Sequence, residues 1–549
     1  MKREGGKEMR LNKKLAATAM AALMASSVLA GCGDSSTEAT DAGNAATEAG
    51  GATEAGGEST SGEMPTVTMV AVDHSGNALN NDRSDEVVQQ LEEYMGMHIE
   101  FQWESNSTYS ERFGTILMDK ENMPMILTSA DSTVKSTVVE AAKRDAFWDL
   151  TEYLQDEEAY PNLSQMTQEV KDALTVDGKV IGLPRQRPIG RYGVSYRADW
   201  AEKVGITEAP ETIDDMYDMI YKFAKEDPDG NGQDDTYGME MTKYTGPFDI
   251  IQTWFGVGNK WVEQDGKLVP VHQTAEYMEA LNWLRGLVEE GLVRKDFAAI
   301  DTSTWGDGIK KGEAGVFVDV LDTGKRTAQY FDTNNIASVV NPDEKASIAY
   351  VGAVKKDENS EPKTLSTGGY GGFFLITKDG AKTEEDLKNC LTFLDKMCDN
   401  DMRILSDYGL EGFQWQETED GKLEVIQTGL EAGQTPNNGL NQAQCYLPYN
   451  MTLDPEPIKD DFTKEMEAVQ LANEEFTVAN PATKYLVNSE TNASRGTTLD
   501  QLLDDARTQY ISGAIDEAGL QSLWDQWAEQ GGQDLIDEIN ELYQADTNK

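Results

Sequence analysis

Nine consecutive residues, from Asp227 to Asp235, have the types and spacing to bind a metal ion. They read DPDGNGQDD, which places oxygen-bearing side chains at loop positions one, three, five and nine: Asp227, Asp229, Asn231 and Asp235. Glycines between them allow a tight wrap, and the main-chain carbonyl of Gln233 completes an EF-hand pattern. Hard oxygen ligands favour calcium. We expect a structural calcium site, and the alternative is an acidic glycine-rich turn without metal.

One EF-hand feature is missing from this loop. Position twelve, where a bidentate Glu completes an EF-hand, is Gly238, so a further ligand has to come from water or from elsewhere. The chain has three histidines, His74, His98 and His272, and none is close to the loop in sequence. A structural role for the metal is therefore favoured over a catalytic one.

Cys32 is a second residue whose surroundings indicate chemistry. It ends the sequence LAGC, which follows the uncharged apolar run 15–28 and the basic residues of segment 10–14. This is the pattern of a signal peptide, and the run is shorter than the roughly 18–20 residues that span a bilayer. LAGC looks like a bacterial lipobox, so we expect removal of residues 1–31 and a diacylglyceryl group on Cys32. The alternative is an ordinary signal peptide with a chance cysteine.

Composition limits the classes of fold and partner. A chain of 549 residues with 39% hydrophobic residues exceeds what one core usually fills, so we expect at least two lobes. The formal charge of −51 repels phosphate backbones and makes nucleic acid a poor partner. Besides Cys32 there are three cysteines, Cys390, Cys398 and Cys445, which we interpret as buried small apolar residues.

The elements that must position these residues follow a linker. Residues 32–64 are mostly Gly, Ala, Thr, Ser and Glu, which cannot build a core, so we expect a disordered acidic linker. Strands are then predicted at 67–72, 99–103 and 125–127, with amphipathic helices between them. Such alternation is typical of a parallel α/β sheet.

Ligands of open α/β sheets bind beyond the carboxyl ends of the strands, so the turns 73–81 and 128–132 are expected at the binding edge. Three crossings between lobes are predicted: after Arg187, at the glycine-rich segment 368–372, and at the YGLEG segment 408–412. These crossings assign residues 65–187 with 366–407 to the first lobe, and 188–365 with 408–549 to the second.

Several motifs together resemble one known family. They are LAGC, YRADW at 196–200, DPDGNGQDDTYG, GEAGVF, YGLEG, and Trp527 followed by Gly531-Gly532. The chain resembles the extracellular solute-binding lipoproteins of ABC importers, family 1, in the subgroup of oligosaccharide-binding lipoproteins of Gram-positive bacteria. The resemblance implies a two-lobed α/β fold of the periplasmic-binding-protein type II class, with hinge crossings between the lobes.

The resemblance also implies function. It describes a monomer anchored by its N-terminal lipid to the outer face of the cell membrane, which captures an oligosaccharide and delivers it to the permease subunits of an ABC importer. Alginate-oligosaccharide binders of this class carry a calcium loop of the same pattern. Asp227, Asp229, Asn231, Gln233 and Asp235 match that loop, but its next position is a carboxylate where this chain has Thr236.

Candidate ligand residues follow from the faces of sugars, which are flat and apolar and stack on aromatic rings. The aromatic candidates at predicted cleft edges are Trp254, Tyr192, Tyr370 and Trp415. The hydroxyl or carboxylate partners are Arg187, Asp73, Asp131 and Asp319. For any single aromatic residue the alternative is a place in the core. Arg197, Asp199 and Trp200 are expected to be structural and to brace the first crossing.

The alternatives to an oligosaccharide binder are an enzyme, a binder of another solute and a sensory receptor. The chain has no GxSxG or HExxH motif, and its SxxK match at 132–135 lacks the companion motifs of that enzyme class. A glycosidase carboxylate pair could be present among the many acidic residues, but the predicted crossings favour binding. A binder of peptides or of another polar solute, and a sensory receptor, remain as alternatives. A peptide site would use Arg or carboxylate clamps instead of aromatic platforms.

Overall fold

A computed structural model describes residues 64–547, apart from residues 74–78, 80, 84, 132 and 427–438. The expectations for the leader, for Cys32 and for nearly all of the linker therefore lie outside the described residues. The chain divides into Met1–Gly62 and the compact unit Glu63–Lys549, which contains every described residue. In the described part, no helix combines the length and apolar character needed to cross a bilayer.

Eighteen strands are present among the described residues. They are β1 Thr66–Asp73, β2 His98–Ser105, β3 Ile126–Ser129, β4 Thr175–Val176, β5 Lys179–Val180, β6 Gly182–Gln186, β7 Tyr192–Arg197, β8 Tyr237–Met239, β9 Trp261–Gln264, β10 Lys267–Pro270, β11 Ala314–Val320, β12 Ile348–Val351, β13 Thr364–Leu365, β14 Tyr370–Ile376, β15 Trp415–Glu417, β16 Lys422–Val425, β17 Glu456–Pro457 and β18 Thr477–Val478.

Seventeen α-helices accompany these strands in the same part of the chain. They are α1 Glu86–Met95, α2 Asn106–Met118, α3 Ser136–Lys143, α4 Gln168–Ala173, α5 Ala198–Lys203, α6 Ile213–Lys225, α7 Gly246–Trp254, α8 Ala275–Glu289, α9 Asp307–Lys311, α10 Leu321–Asn334, α11 Glu384–Lys396, α12 Asn400–Tyr408, α13 Asp461–Asn473, α14 Thr483–Leu486, α15 Glu490–Ile511, α16 Glu517–Trp527 and α17 Gln533–Thr547.

The sheet of the first lobe has five strands in the order β2-β1-β3-β14-β6. Strands β1, β2 and β3 are parallel and alternate with α1 and α2, as the sequence predicts. Strand β14 is antiparallel to both β3 and β6. Most of β1 is buried, because helices cover both faces of a sheet with this topology. The carboxyl ends of β1 and β3, at Asp73 and Ser129, therefore lie at the same edge.

The sheet of the second lobe has four strands in the order β12-β7-β11-β8. Strand β7 is antiparallel to both of its neighbours, and β11, the predicted GEAGVF strand, is parallel to β8. Helix α6 begins after Thr212 as predicted, because Thr212 and Asp215 form a capping box. This sheet presents Asp319 and Tyr192 at the ends of β11 and β7 that lie beside the crossings.

Two of the crossings run side by side. The chain passes from β6 to β7 through 187–191 and from β13 to β14 through 366–369. The Arg187 N–H donates to the Gly369 carbonyl at 2.9 Å, and the Thr367 N–H donates to the Ile189 carbonyl at 3.2 Å. The crossings are thus hydrogen-bonded to each other, which makes them one two-stranded hinge.

The third crossing lies later than the sequence suggests. Leu410, Leu440 and Leu447 are buried in the first core, whereas Met466 packs in a cluster with the second lobe. Leu410, Leu440 and Leu447 therefore lie with the first lobe, which favours a third crossing after Leu447 over the predicted one at 408–412. The glycine that suggested a crossing, Gly409, has φ +82° and ends α12 in a tight turn instead.

Candidate functional site

An arginine at the end of β6 is the most deeply buried cation beside the hinge. Arg185 is 5% exposed, and its Nη2 donates to the Gln442 side-chain oxygen at 2.6 Å. Its Nε has no hydrogen-bond partner among the described residues. Burial, followed by the neighbouring charge of Arg187, lowers the pKa of Arg185 to about 10. This side chain therefore carries a charge that the surrounding protein only partly satisfies.

The glycine-rich start of β14 gives Arg185 and Arg187 room. A Cβ on Gly371 would lie 3.3 Å from Arg187 Cγ, and one on Gly372 would lie 3.5 Å from Arg185 Cδ. A Cβ on Gly372 would also lie 2.7 Å from the Ser129 carbonyl, and this residue has φ +102°. The segment predicted as a flexible joint therefore also forms a surface against which two arginine stems lie.

A tyrosine lies between two arginines on the same side of the hinge. The Tyr446 ring centroid is 5.3 Å from the Arg187 guanidinium carbon and 5.0 Å from that of Arg403, within cation–π distance. Its hydroxyl donates to Asp407 Oδ1 at 2.9 Å. Tyr446 has φ +56°, which is strained for a bulky residue. Strain of this kind clusters at functional sites.

The second lobe contributes the first turn of α10. Arg191 Nε donates to Asp322 Oδ2 at 2.8 Å, and the Gln470 amide donates to the same oxygen at 3.2 Å. Burial acts to raise the pKa of Asp322, but the hydrogen bond and charge of Arg191 outweigh it and hold the pKa below its ordinary value. This ion pair fixes the end of the first crossing to α10.

Asp319 is the centre of a polar and aromatic group at the end of β11. It accepts hydrogen bonds from Trp305 Nε1 at 2.7 Å, from the Thr323 hydroxyl at 3.1 Å and from the Tyr244 hydroxyl at 3.3 Å. Burial raises the pKa of Asp319, and these bonds oppose the rise. The Tyr244 and Trp305 rings are 5.5 Å apart and partly exposed. Tyr192, at the start of β7, completes this aromatic edge.

The two groups of side chains are close enough to influence each other. Burial raises the pKa of Asp407 in the first lobe, and the Tyr446 hydrogen bond and nearby positive charges oppose that rise. One of those charges is Lys325 of α10, in the second lobe. In the same way, Asp322 of α10 contributes to the pKa of Arg187. These residues therefore lie on both sides of the hinge and form the candidate site.

The predicted metal loop folds around the amide of Asn231. The Asn231 Nδ2 donates to Asp229 Oδ2 at 2.7 Å and to Asp235 Oδ1 at 3.2 Å, and the Gly232 N–H donates to Asp227 Oδ1 at 3.1 Å. Burial raises the pKa of Asp229, and the carboxylates of Asp227 and Asp235 add to this rise.

The Asp229 and Asp235 carboxylates therefore lie close together around the Asn231 amide group. The Gln233 N–H donates to Asn231 Oδ1 at 2.7 Å. Within the described ranges, however, no group of three or more His, Cys, Asp or Glu side chains is arranged to hold a metal ion.

No family model matches the chain. Over 546 residues, it is 34% identical to lipoprotein LipO of Bacillus subtilis strain 168, and the match covers 98% of this chain and 99% of LipO. The chain belongs to the family of solute-binding lipoproteins of ABC importers.

Two further comparisons support this family. The chain is 27% identical over 461 residues to the polygalacturonan/rhamnogalacturonan-binding protein YtcQ of the same Bacillus strain, covering 84% of this chain and 88% of YtcQ. The solved structure of an EF-hand mutant of the Streptococcus pneumoniae substrate-binding protein FusA with fructo-nystose is 17% identical, with a TM-score of 0.63. That match covers 88% of this chain and 100% of FusA. The predicted two-lobed solute-binding fold is confirmed.

Within this solute-binding fold, three of the eight candidate ligand residues meet at the hinge: Arg187, Tyr192 and Asp319. Asp73 and Asp131 instead lie at the carboxyl edge of the first sheet, where Asp131 pairs with Lys135 at 2.9 Å.

Three aromatic candidates are core residues, which corrects their assignment as sugar platforms. Trp254 is 1% exposed and packs edge-on against Trp283. Tyr370 is 3% exposed, and Trp415 is 8% exposed and donates through Nε1 to the Gly409 carbonyl at 3.0 Å. Stacking needs an accessible ring face, and none of the three offers one here. The predicted burial of Cys390, Cys398 and Cys445 is confirmed, and the structure shows all three as free thiols.

Sequence analysis missed several residues of the site: Arg185, Tyr446, Arg403, Asp407, Tyr244 and Trp305. The sequence could have indicated Arg185, because residues two positions apart lie on the same face of an extended segment and Arg187 was already a candidate. The other five come from loops or helix ends, where no periodic pattern indicates which side chains meet.

Proposed function

We propose that this protein captures an oligosaccharide between its two lobes and delivers it to the membrane permease of an ABC importer. The observation that carries the proposal is the group of side chains beside the hinge, in which the charges of Asp407 and Arg187 of one lobe interact with those of Lys325 and Asp322 of the other. A ligand bound there contacts both lobes and therefore favours the closed state over the open one.

The accessible aromatic rings and the polar groups have separate roles in this proposal. Tyr192, Tyr244 and Trp305 offer partly exposed rings on which a sugar stacks, and Asp319 orients its hydroxyls. Asp73 and Asp131 extend the site along the edge of the first sheet. YtcQ and FusA are named or solved with polygalacturonan, rhamnogalacturonan and fructo-nystose, which supports a glycan ligand.

The same proposal places the protein on the outer face of the cell membrane. Cys32 carries the lipid, the leader 1–31 is removed, and residues 33–64 form a linker of roughly 30 Å mean span that lifts the body off the bilayer. The body works as a monomer, with no catalytic step. We assign residues 188–365 to the second lobe, and Leu410, Leu440 and Leu447 to the first because they are buried in its core.

Calcium is proposed as a structural ion of the loop Asp227–Asp235. The Asp229 and Asp235 carboxylates accept from the Asn231 amide, Asp227 lies in the same loop, and the raised pKa of Asp229 indicates negative charge that a cation would relieve. Thr236 stands where related loops have a carboxylate residue. Its hydroxyl donates to the Phe223 carbonyl at 2.8 Å, so it points away from a role as metal ligand. Water would therefore complete the coordination. In this role calcium fixes the end of α6 to β8.

Chelation is expected to lower the melting temperature of the protein. A ligand that binds only the folded state at one hundred times its Kd stabilises it by about 2.7 kcal/mol, and removing it reverses this gain. The measurement compares melting with calcium and with EDTA for the chain from Glu63 onward.

Asp229→Asn should lose the calcium-dependent shift. The matched control is Asp357→Asn, which alters an exposed turn whose carboxylate accepts from the Asn359 N–H at 2.8 Å. A calcium shift that survives Asp229→Asn would place the ion elsewhere.

Oligosaccharides are expected to raise the melting temperature, and amino acids and short peptides are not. The screen uses the same soluble chain with neutral and acidic trisaccharides, followed by calorimetry on each glycan that stabilises it. The glycan should be recovered intact. A cleaved glycan would contradict the binding-only function, and stabilisation by peptides alone would move the ligand class to peptides.

A further inference from the structure

Three arginines lie within seven residues at the first crossing, although the chain has a formal charge of −51. Arg191 is neutralised, because its Nε lies 2.8 Å from Asp322 Oδ2. Arg185 and Arg187 form no ion pair with any carboxylate of the described residues; their polar contacts are to Gln442 and to the main-chain carbonyl of Gln186. Neither guanidinium therefore forms a direct ion pair, although the charges of Asp322 and Asp407 favour the charged form of Arg187.

Burial makes this arrangement costly. The Arg185 side chain is almost fully buried and its Nε has no partner in the described part of the chain. A buried charge is tolerated when an opposite charge or a full set of hydrogen bonds compensates for its lost hydration. Arg187 and Arg191 add like charge, because both lower the pKa of Arg185. Arg185 therefore lacks an anionic partner among the described residues.

We propose that a carboxylate of the ligand binds to Arg185 and Arg187, so that the captured oligosaccharide is a uronic-acid glycan. This inference rests on the proposed function of the same site. Guanidinium groups hold planar carboxylates through paired N–H donors, which lysine does not match. The glycines of β14 allow both stems to lie flat against the strand, which holds the two groups side by side.

The second-lobe side of the site fits the uncharged part of such a ligand. Asp319 and Asp322 would repel a carboxylate, but they accept hydrogen bonds from hydroxyls. Tyr192, Tyr244 and Trp305 line that side with aromatic rings. Charge recognition is therefore assigned to the first lobe, and hydroxyl and ring-face recognition to the second.

Calorimetry with matched trisaccharides tests whether the carboxylate charge of the ligand contributes to binding. Galacturonate, mannuronate and glucuronate trisaccharides are compared with their methyl esters and with neutral galactose, mannose and glucose trisaccharides. The expected result is that at least one acidic trisaccharide binds about tenfold or more tightly than its ester, because a hydrogen bond to a charged group exceeds a neutral one by that factor. The difference should shrink as salt is added.

Variants connect the charge preference to the two arginines. Arg187→Gln and Arg185→Gln should each remove the preference for the acid over its ester, and Arg185→Lys should keep only part of it. The matched control is Arg144→Gln, which deletes one charge from the same lobe at an exposed position. A melting curve for each variant separates loss of binding from loss of folding.

The possible failures are distinguishable. Binding of neutral trisaccharides in preference to every acidic one would overturn the carboxylate proposal and leave the oligosaccharide function standing. Equal binding of acid and ester by the unaltered protein would also overturn the carboxylate proposal and leave the oligosaccharide function standing. If no glycan of the panel binds, the proposed function itself fails.

Discussion

Replacing Asp199 by alanine is expected to lower the free energy of unfolding by about 3–5 kcal/mol, the usual effect of removing one partner of a buried ion pair. Arg197 Nε and Nη2 donate to the two Asp199 oxygens, both at 2.7 Å. The side chains are 4% and 3% exposed. The guanidinium also lies between the rings of Trp200 and Phe331, with its carbon 5.1 and 5.0 Å from their centroids.

The substitution leaves this guanidinium buried without a counter-charge. It also removes the acceptor of the Val339 N–H, which donates to Asp199 Oδ2 at 3.1 Å. These bonds join the end of β7 to the segment before β12. The expectation that Arg197, Asp199 and Trp200 are structural agrees with this geometry, but they lie at the end of β7 that is far from the first crossing and do not brace it.

A matched control is present in the same lobe. Arg294 and Asp296 have the same spacing in sequence and the same paired bonds, at 3.0 and 3.2 Å, but their side chains are 36% and 64% exposed. Because solvent screens an exposed pair, Asp296→Ala should change the free energy of unfolding by less than about 1 kcal/mol. Urea denaturation of the chain from Glu63 onward measures the free energy of unfolding of both variants. Equal losses in the two variants would show that burial does not decide the strength of these pairs.

The local elements of the fold could be predicted from the sequence because periodicity is a local property. The alternation β1-α1-β2-α2-β3 follows from apolar spacing within each segment, and the start of α6 follows from Thr212 and Asp215 three residues apart. The third crossing was misplaced because Gly409 is the kind of residue that either a hinge or a helix end requires. Burial of Leu410 and Leu447 in the first core decides between them.

The site was predictable only in part, since its members meet through tertiary packing. Arg187 and Tyr446 are 259 positions apart in numbering, and their contact depends on how the loop after Leu440 returns to β6. Residue type alone also does not distinguish an aromatic residue that can stack on a sugar from one that is buried in the core. Trp254 lies on α7, where its ring is covered by Trp283, whereas Trp305 lies in a short loop beside Asp319 and stays partly exposed.

Asn473→Ala is expected to lower the free energy of unfolding by at least about 2 kcal/mol and also to weaken ligand binding. Asn473, 2% exposed at the end of α13, donates through Nδ2 to the Gly190 and Tyr192 carbonyls, both at 2.9 Å. Its Oδ1 accepts from the Ala353 N–H at 2.8 Å. Alanine leaves the Gly190 carbonyl and the Ala353 N–H unpaired, whereas the Tyr192 carbonyl keeps the Thr364 hydroxyl as a donor at 3.1 Å. Each buried unpaired group costs about 1–3 kcal/mol. Gly190 belongs to the crossing that positions Arg187 and Tyr192.

The matched control for Asn473→Ala is Asn540→Ala. Asn540 lies on α17 and makes the same kind of bonds, since its Nδ2 donates to the Leu268 carbonyl at 2.8 Å and its Oδ1 accepts from the Leu268 N–H at 2.9 Å. It is partly exposed, so its loss of stability should be smaller, and it contacts no crossing. Denaturation and calorimetry with the glycan found by the melting screen are done on both variants at a temperature where each is folded. Only Asn473→Ala should lose affinity, because only its side chain holds the hinge. An unchanged affinity in that variant would mean that the first crossing keeps its position without Asn473.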